Sequence, residues 1–173
     1  IVDRITKPIQ ISKNATEKRI ILLTGGVIDM WSLSNADAAL GAAYARVIID
    51  EAAAIDKNDD LLYHWQKNIR PMLTDYLGDA FFLSTPKGEN DFYTLWTYGR
   101  PESINYNPDW RSWQMPSSTN PHISKSEIES AKRDMPLYLY QQEYLAQFIT
   151  VPGGLIFDTW SEAAQADTNI TLN

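Results

Sequence analysis

Two adjacent carboxylates follow an apolar run near the end of the first third of the chain. Residues 45–49 are Ala, Arg, Val, Ile and Ile, and Asp50 and Glu51 come directly after them. Carboxylates at the end of a buried strand are costly unless solvent, a metal ion or hydrogen bonds compensate them. Nucleotide hydrolases use such a pair: one acid holds the Mg²⁺ that bridges the β- and γ-phosphates, and the next polarises the attacking water as a general base.

A purely structural interpretation of the same two acids stays open. Asp50 is also suited to be the N-cap of a helix that begins at Glu51, because an Asp side chain accepts hydrogen bonds from the first helical amides. The helix dipole would then favour Glu51 in the first turn. An apolar run followed by Asp-Glu is compatible with both interpretations.

Two hydroxyl side chains follow the next apolar run. Ser84 and Thr85 come directly after residues 80–83, which are Ala, Phe, Phe and Leu. If the two runs are neighbouring parallel strands, these hydroxyls lie near Asp50 and Glu51, where they can hydrogen-bond a γ-phosphate or the catalytic water. The alternative is an ordinary turn, since Ser, Thr, Pro and Gly are all turn formers.

The elements that must position these side chains alternate between strands and helices. Pro71 is expected to kink or divide the helix predicted at residues 59–75, and Gly78 is expected to end it. Strand, helix, strand, helix is the pattern of an α/β domain with a mainly parallel sheet, whose functional residues lie at the carboxyl ends of the strands. The predicted elements are a strand at 45–49, a helix at 59–75, a strand at 80–83 and a helix at 90–98.

Outside this central region the sequence predicts a β-hairpin and a helical C-terminal half. The two apolar runs on either side of Gly25 and Gly26 predict the hairpin. Ser124 with Glu127 forms a capping box that opens a helix. The remaining expectations are a strand at 5–11, a loop or short helix at 33–44, an irregular segment at 99–122 around a strand at 110–115, helices at 124–135 and 136–144, a strand at 145–151, a boundary at 152–154 and a poorly anchored tail from 161.

Composition excludes several classes of protein. The chain has 173 residues, 44% of them hydrophobic, which suits one folded domain. It contains no cysteine, so disulfide scaffolds and thiol nucleophiles are excluded. No apolar run approaches the ~20 residues of a transmembrane helix. The formal net charge of −7 argues against a broad nucleic-acid-binding surface, because phosphate contacts need clustered Lys and Arg.

Taken together, the two strand ends resemble the ATPase domain of the terminase large subunit family, the motors that package phage DNA. Residues 47–53 are similar to the family's Walker B strand, and residues 83–93 to its coupling motif. Further similarity lies at residues 25–28 and 31–33 in the hairpin, and near the end at residues 120–124, 135–136 and 142–148. The order and spacing of these segments, across roughly residues 19–157, are more specific than any one of them.

The resemblance implies a RecA/ASCE-like P-loop NTPase core and a set of roles. Asp50 would hold Mg²⁺ through water, Glu51 would be the catalytic base, and Ser84 and Thr85 would couple hydrolysis of ATP to movement. The implied activity is translocation of double-stranded DNA into a procapsid. The implied partners are DNA, the portal protein, the small terminase subunit and further copies of the chain. The implied location is the cytoplasm of a bacterial host, and no membrane is involved.

The chain departs from the family pattern in its phosphate-binding loop. It contains no Gly-x-x-x-x-Gly-Lys-[Ser/Thr] segment, whose backbone amides and Lys cradle the phosphates in the family. We therefore expect a piece truncated at its N-terminal side and inactive alone, with a partial ATPase domain at 1–151 and a linker at 152–173 toward an absent nuclease domain. Asp158 is accordingly not interpreted as a nuclease ligand.

Two alternatives from other classes of function remain. The missing phosphate loop, and the scarcity of basic residues at 38–46, are compatible with a non-catalytic interaction domain that has a degenerate ATPase-like fold. A metal-dependent nuclease using Asp29, Asp50 and Glu51 ranks below both, because it leaves the hydroxyl pair without a role.

Overall fold

The computed structural model describes residues 2–33, 41–55 and 60–150. These residues form two compact units. The first comprises the described residues of Ile1–Ile49 and Ile55–Phe81, and the second those of Asp50–Ala54 and Phe82–Asn173. The expectations for residues 34–40, for the boundary at 152–154 and for the tail from 161 lie outside the described residues.

An antiparallel three-stranded sheet opens the first unit. Its strands are β1 (Gln10–Asn14), β2 (Arg19–Leu22) and β3 (Val27–Asp29), in the order β1-β2-β3. The hairpin expected around Gly25 and Gly26 is therefore confirmed as β2 and β3. Ile20 in the central strand is fully buried.

The strand expected at residues 5–11 is wrong over most of its length. The short helix α1 (Val2–Thr6) and a 3₁₀ turn (Lys7–Ile9) occupy this region, and β1 begins only at Gln10. Pro8 lies in the first positions of the 3₁₀ turn. Its fixed φ and missing N–H suit the start of a helical turn and do not suit a paired strand.

The first unit also contains a parallel pair of strands, β4 (Arg46–Ile49) and β5 (Asp79–Phe82). Phe82, the last residue of β5, belongs to the second unit. The amide of Asp79 donates to the carbonyl of Ala45 at 3.2 Å. The sequence predicts β4 as a buried strand, and this is wrong for one of its two faces. Ile49 is 5% exposed but Ile48 is 61% exposed, because successive side chains of a strand point to opposite faces and, in the described residues, only the face of Ile49 is covered.

The helix expected at residues 59–75 is present from residue 61 but divided. Its parts are α2 (Leu61–His64), a π-helical turn (Trp65–Ile69), α3 (Arg70–Met72) and a 3₁₀ turn (Thr74–Tyr76). Asp60 caps α2 by accepting from the amide of Tyr63. Pro71 lies in the first positions of α3, so the expected interruption is confirmed. The chain leaves this segment through Leu77 in the left-handed conformation (φ 48°).

The second unit is helical. It contains a 3₁₀ turn (Ala52–Ala54), α4 (Asp91–Tyr98), a 3₁₀ turn (Ser117–Thr119), α5 (Lys125–Asp134) and α6 (Leu137–Glu143). The predicted helices at 90–98, 124–135 and 136–144 are thereby confirmed. The Ser124 hydroxyl accepts from the amide of Glu127, as the capping box predicts. None of the helices in the described part of the chain combines the length and the apolar character needed to cross a membrane.

Two strands predicted in the second unit are wrong. Residues 110–115 and 145–150 form no strand. In the first segment, side-chain hydrogen bonds take the place of the backbone bonds of a strand. The Ser112 hydroxyl donates to the carbonyl of Trp96 at 2.6 Å, and the side-chain amide of Gln114 donates to the carbonyl of Ala146 at 2.8 Å. In the second segment Ala146 has a φ of 52°, which breaks an extended run.

Candidate functional site

Asp50 and Glu51 are exposed at the point where β4 ends. One carboxylate oxygen of Asp50 accepts the backbone N–H of Glu51 at 3.0 Å. A 3₁₀ turn (Ala52–Ala54) follows, so the chain does become helical after the acids. However, the bond from Asp50 reaches only the next residue, whereas an N-cap side chain binds the amides two or three positions further on.

The backbone of Glu51 is in the left-handed region, with a φ of 55°. This conformation costs a residue with a Cβ roughly 1–2 kcal/mol, so surrounding interactions must enforce it. The carbonyl of Glu51 accepts the amide of Ala54 at 2.8 Å, and Asp50 holds the amide of Glu51. The backbone of the predicted catalytic base is therefore held from both sides in a strained conformation.

Ser84 contacts the turn that follows the acid pair. Its hydroxyl oxygen accepts the backbone N–H of Ala53 at 3.0 Å, and the carbonyl of Leu83 accepts the N–H of Ala52 at 3.0 Å. Ser84 and Thr85 are both half-buried. The structure thus brings the segment carrying the acids and the segment carrying the hydroxyls together, as the sequence predicts for neighbouring parallel strands. Ser84 ties two segments together and is not merely a turn residue.

The sequence predicts no role in the site for Asn90, although it lies in the same segment as Ser84. Its side-chain amide donates to the carbonyl of Ala53 at 3.1 Å, and its side-chain oxygen accepts the amide of Tyr93 at 3.2 Å. The second bond makes Asn90 the N-cap of α4. An Asn directly before a helical pattern predicts this cap, but no local pattern predicts the bond to Ala53, 37 residues away.

The chain between Ser84 and Asn90 and the helix that follows it are both well fixed. Gly88 has a φ of 63°, a conformation that glycine adopts without strain. α4 packs against the Ala52–Ala54 turn, and Leu95 in α4 is 2% exposed. On another side of α4, Tyr93 and Trp96 lie against Phe148, with ring centroids 4.9 and 5.1 Å apart. α4 therefore has packing partners that connect it to the end of the described chain.

Asp29, the third acid of the nuclease alternative, is committed to other partners. Arg19 donates to both of its carboxylate oxygens, at 2.6 and 2.9 Å, and the hydroxyl of Tyr44 donates at 3.1 Å. The hydrogen bond from Arg19 is the main reason that the pKa of Asp29 lies below its ordinary value. Among the described residues no group of three His, Cys, Asp or Glu side chains is arranged to hold a metal ion. The geometry gives no support to the nuclease alternative.

The acid pair fits a hydrated magnesium ion held together with phosphates. Mg²⁺ in nucleotide sites is bound by one or two carboxylates and keeps several waters, so it needs no cage of three acidic side chains. Asp50 is an exposed carboxylate with one oxygen already oriented by the amide of Glu51. Glu51 is the next residue and is also exposed, so one acid can serve the ion and the other a water molecule.

Comparison with known proteins identifies the family. The model for the N-terminal part of the T4likevirus-type terminase large subunit matches residues 3–163. The chain belongs to the terminase large subunit family. The terminase large subunit of Escherichia phage T5 is 35% identical over 149 residues, which are 86% of this chain and 32% of that protein. The chain therefore spans about a third of the length of this curated terminase relative.

Solved structures show the same fold. The ATPase domain of the Thermus phage P74-26 large terminase superimposes with a TM-score of 0.62 at 24% identity, covering 86% of this chain and 68% of that domain. A mutant of the same domain gives a TM-score of 0.61, again at 24% identity, with coverages of 86% and 67%. The α/β, RecA-like fold that the sequence predicts for this terminase chain is confirmed.

Proposed function

We propose that the chain is part of an ATP-hydrolysing motor that drives double-stranded DNA into a viral procapsid. In this proposal Asp50 holds Mg²⁺ through water and Glu51 is the general base. Ser84 and Thr85 couple hydrolysis to movement. The partial ATPase domain is residues 1–151, and residues 152–173 lead toward a nuclease domain.

One observation carries the proposal: the hydrogen bonds that join the turn after Glu51 to Leu83 and Ser84. They join the segment that carries the exposed acid pair to the segment that carries Ser84 and Thr85. Ser84 accepts one hydrogen bond there, and its O–H hydrogen can still be donated to a phosphate oxygen or a water molecule. Such a constellation suits a γ-phosphate and an attacking water.

Bound ATP and Mg²⁺ would supply the phosphoryl group and neutralise the charge that develops on it. This chain's own residues would orient the ion through Asp50 and remove a proton from water at the carboxylate of Glu51. The residues that cradle the phosphates are not among these 173, since they contain no Gly-x-x-x-x-Gly-Lys-[Ser/Thr] segment. The activity is therefore to be measured in the natural protein at its full length.

The proposed partners follow from the family. The relative is named as the large subunit of a terminase. By that relationship we propose that this chain works with DNA, the portal protein and the small terminase subunit, and that several copies assemble on the portal in the bacterial cytoplasm. The net charge of −7 argues against a broad DNA-binding surface on this part of the protein, because DNA phosphates are bound by clustered Lys and Arg. A local basic patch or another part of the protein would therefore contact DNA.

The decisive experiment replaces Glu51 by Gln in the full-length natural protein. Gln keeps the size and polarity of the side chain but cannot accept a proton. We expect ATP to bind as before and turnover to fall by roughly 10²-fold or more, since general bases contribute on the order of 10²–10⁴. Glu129→Gln, an exposed position in α5, removes the same charge and should leave turnover unchanged.

Normal turnover in Glu51→Gln would refute the role of Glu51 as the base. If the wild-type full-length protein neither binds nor hydrolyses ATP, the alternative of a non-catalytic interaction domain with an ATPase-like fold replaces the motor. Nucleotide binding by isothermal titration and phosphate release by a coupled assay separate these two outcomes.

A further inference from the structure

The peptide groups of Ala53 are held on both sides by side chains from one other segment. Its N–H donates to the hydroxyl oxygen of Ser84 at 3.0 Å, and its carbonyl accepts from the side-chain amide of Asn90 at 3.1 Å. Ala53 is 4% exposed, so these partners replace water that cannot reach it. Ala53 lies two residues after Glu51, within the turn that fixes the backbone of that acid.

Asn90 makes a second bond that extends this clamp into a helix. While its amide nitrogen binds Ala53, its oxygen accepts the amide of Tyr93 in the first turn of α4. An Asn side chain has both a donor and an acceptor at its tip, whereas Asp has acceptors only when ionised. Capping alone would be served equally well by Asp or Ser, so the bond to Ala53 is the one that requires the amide.

We propose that Asn90 is a positioning residue that keeps Glu51 aligned by fixing Ala53 to the N-terminus of α4. This inference rests on the function proposed above. A left-handed Glu51 is strained, and it stays in place only while the following turn is held. A change at Glu51 during hydrolysis moves Ala53, and Asn90 passes that displacement to α4, whose Tyr93 and Trp96 rings pack on Phe148.

The test removes the amide donor and leaves the cap. Asn90→Asp in the full-length natural protein keeps an acceptor for the amide of Tyr93 but cannot donate to the carbonyl of Ala53. Ser124→Asp is the matched control, since it places the same Asp at the N-cap of α5 in the same unit. ATP turnover is normalised to the number of nucleotide-binding sites, which removes any effect of a smaller folded fraction.

We expect Asn90→Asp to lower kcat about tenfold or more while KM for ATP changes by less than about twofold, because a misplaced catalytic group slows chemistry without weakening binding. Ser124→Asp should change neither constant. Amide hydrogen exchange at Tyr93 should stay slow in Asn90→Asp, which verifies the cap. Asn90→Ser, which caps without adding a charge, should give the same loss of kcat if the Asp variant folds poorly.

A kcat for both Asn90 variants equal to that of Ser124→Asp overturns the inference while leaving the motor intact. A rise in KM with kcat unchanged also overturns it, because Asn90 would then act in nucleotide binding. A wild-type protein without turnover overturns the proposed function itself, and the inference with it.

Discussion

The residue whose backbone is most informative is Glu51. A left-handed conformation is several-fold enriched in Asn and Asp among non-glycine residues, and Glu has no such preference. The strain therefore has to be held by Asp50, by Ala54 and by the turn that Ser84 and Asn90 clamp. Strained residues of this kind cluster at functional sites, which agrees with the role proposed for this acid.

The strain at Glu51 can be measured by comparing glycine and alanine at this position. Glu51→Gly should have a free energy of unfolding about 1 kcal/mol higher than Glu51→Ala, because only alanine has a Cβ that opposes a positive φ. The same pair at Glu129, inside α5, should show the opposite order by about 1 kcal/mol, because glycine weakens a helix. Urea denaturation measures both. Alanine more stable at both positions would mean that Glu51 is not left-handed in solution.

At the residue scale the sequence predicts the acids and the hydroxyls, but not the hydrogen bonds by which Ser84 and Asn90 hold Ala53. Asp50, Glu51, Ser84 and Thr85 stand out because polar residues follow apolar runs. Asn90 is predictable as a cap only, since its bond to Ala53 depends on how β4 and β5 pair. The register of that pairing is a long-range property that no local pattern encodes.

At the element scale, the pairing of β4 and β5 depends on a close approach between Gly78 and the backbone that precedes β4. A Cβ built on Gly78 would lie 2.6 Å from the carbonyl oxygen of Ala45 and 2.7 Å from that of Tyr44. These are backbone atoms, so they cannot rotate away. The amide of Asp79 donates to the same carbonyl of Ala45. Gly78 thus allows β5 to begin in register with β4.

Gly78→Ala should lower the free energy of unfolding by about 3 kcal/mol, since the added methyl group forces the backbone before β4 to move. Gly26→Ala is the control. Its Cβ would meet only side-chain atoms, at 3.5 and 3.6 Å, so the change should stay below about 1 kcal/mol. Urea midpoints for both variants test this. Equal midpoints would show that the backbone before β4 does not approach Gly78 this closely.

Element boundaries were predicted well where a local rule applies and poorly where packing decides. Ser124, Asn90 and Pro71 each mark a boundary that the structure confirms, because capping and the missing proline N–H act locally. Residues 110–115 have apolar and aromatic residues typical of a strand, but Trp110 lies against Phe82 and Tyr98, with ring centroids 5.8 and 5.3 Å apart. Such ring contacts are tertiary, and they override strand propensity.

At the scale of the whole molecule, the fold class could be predicted because strands and helices alternate around residues 45–98. The open face of β4 could not. Its Val-Ile-Ile sequence is typical of a strand buried on both sides, yet Ile48 is exposed in the described residues. Apolar content predicts that a strand forms, but which of its faces is covered depends on every other element that packs there.

Stability against acid should depend on the ion pair between Arg19 and Asp29 more than on the pairs that Asp79 and Glu102 form. The Asp29 side chain is 4% exposed, against 52% for Asp79 and 64% for Glu102, although each is paired with an arginine. Hydrogen bonds from Arg19 and Tyr44 lower the pKa of Asp29. A carboxyl group whose pKa is lower in the folded state stabilises the fold above its unfolded pKa of about 3.9, and this contribution is lost as the pH falls through the folded value.

Asp29→Asn should therefore lower the free energy of unfolding by about 2 kcal/mol at pH 7, because Arg19 and Tyr44 lose their charged acceptor. The difference from the wild type should shrink as the pH falls below about 4, because the unfolded state then takes up a proton at Asp29, and it should be lost once the pH is below the lowered pKa of the folded state. Asp79→Asn removes an exposed partner of Arg46 and should cost less than about 1 kcal/mol at any pH. Urea unfolding at pH 7, 4.5 and 3 measures these differences. A constant difference between Asp29→Asn and the wild type at all three values would mean that the charge of Asp29 is not what joins β2, β3 and Tyr44.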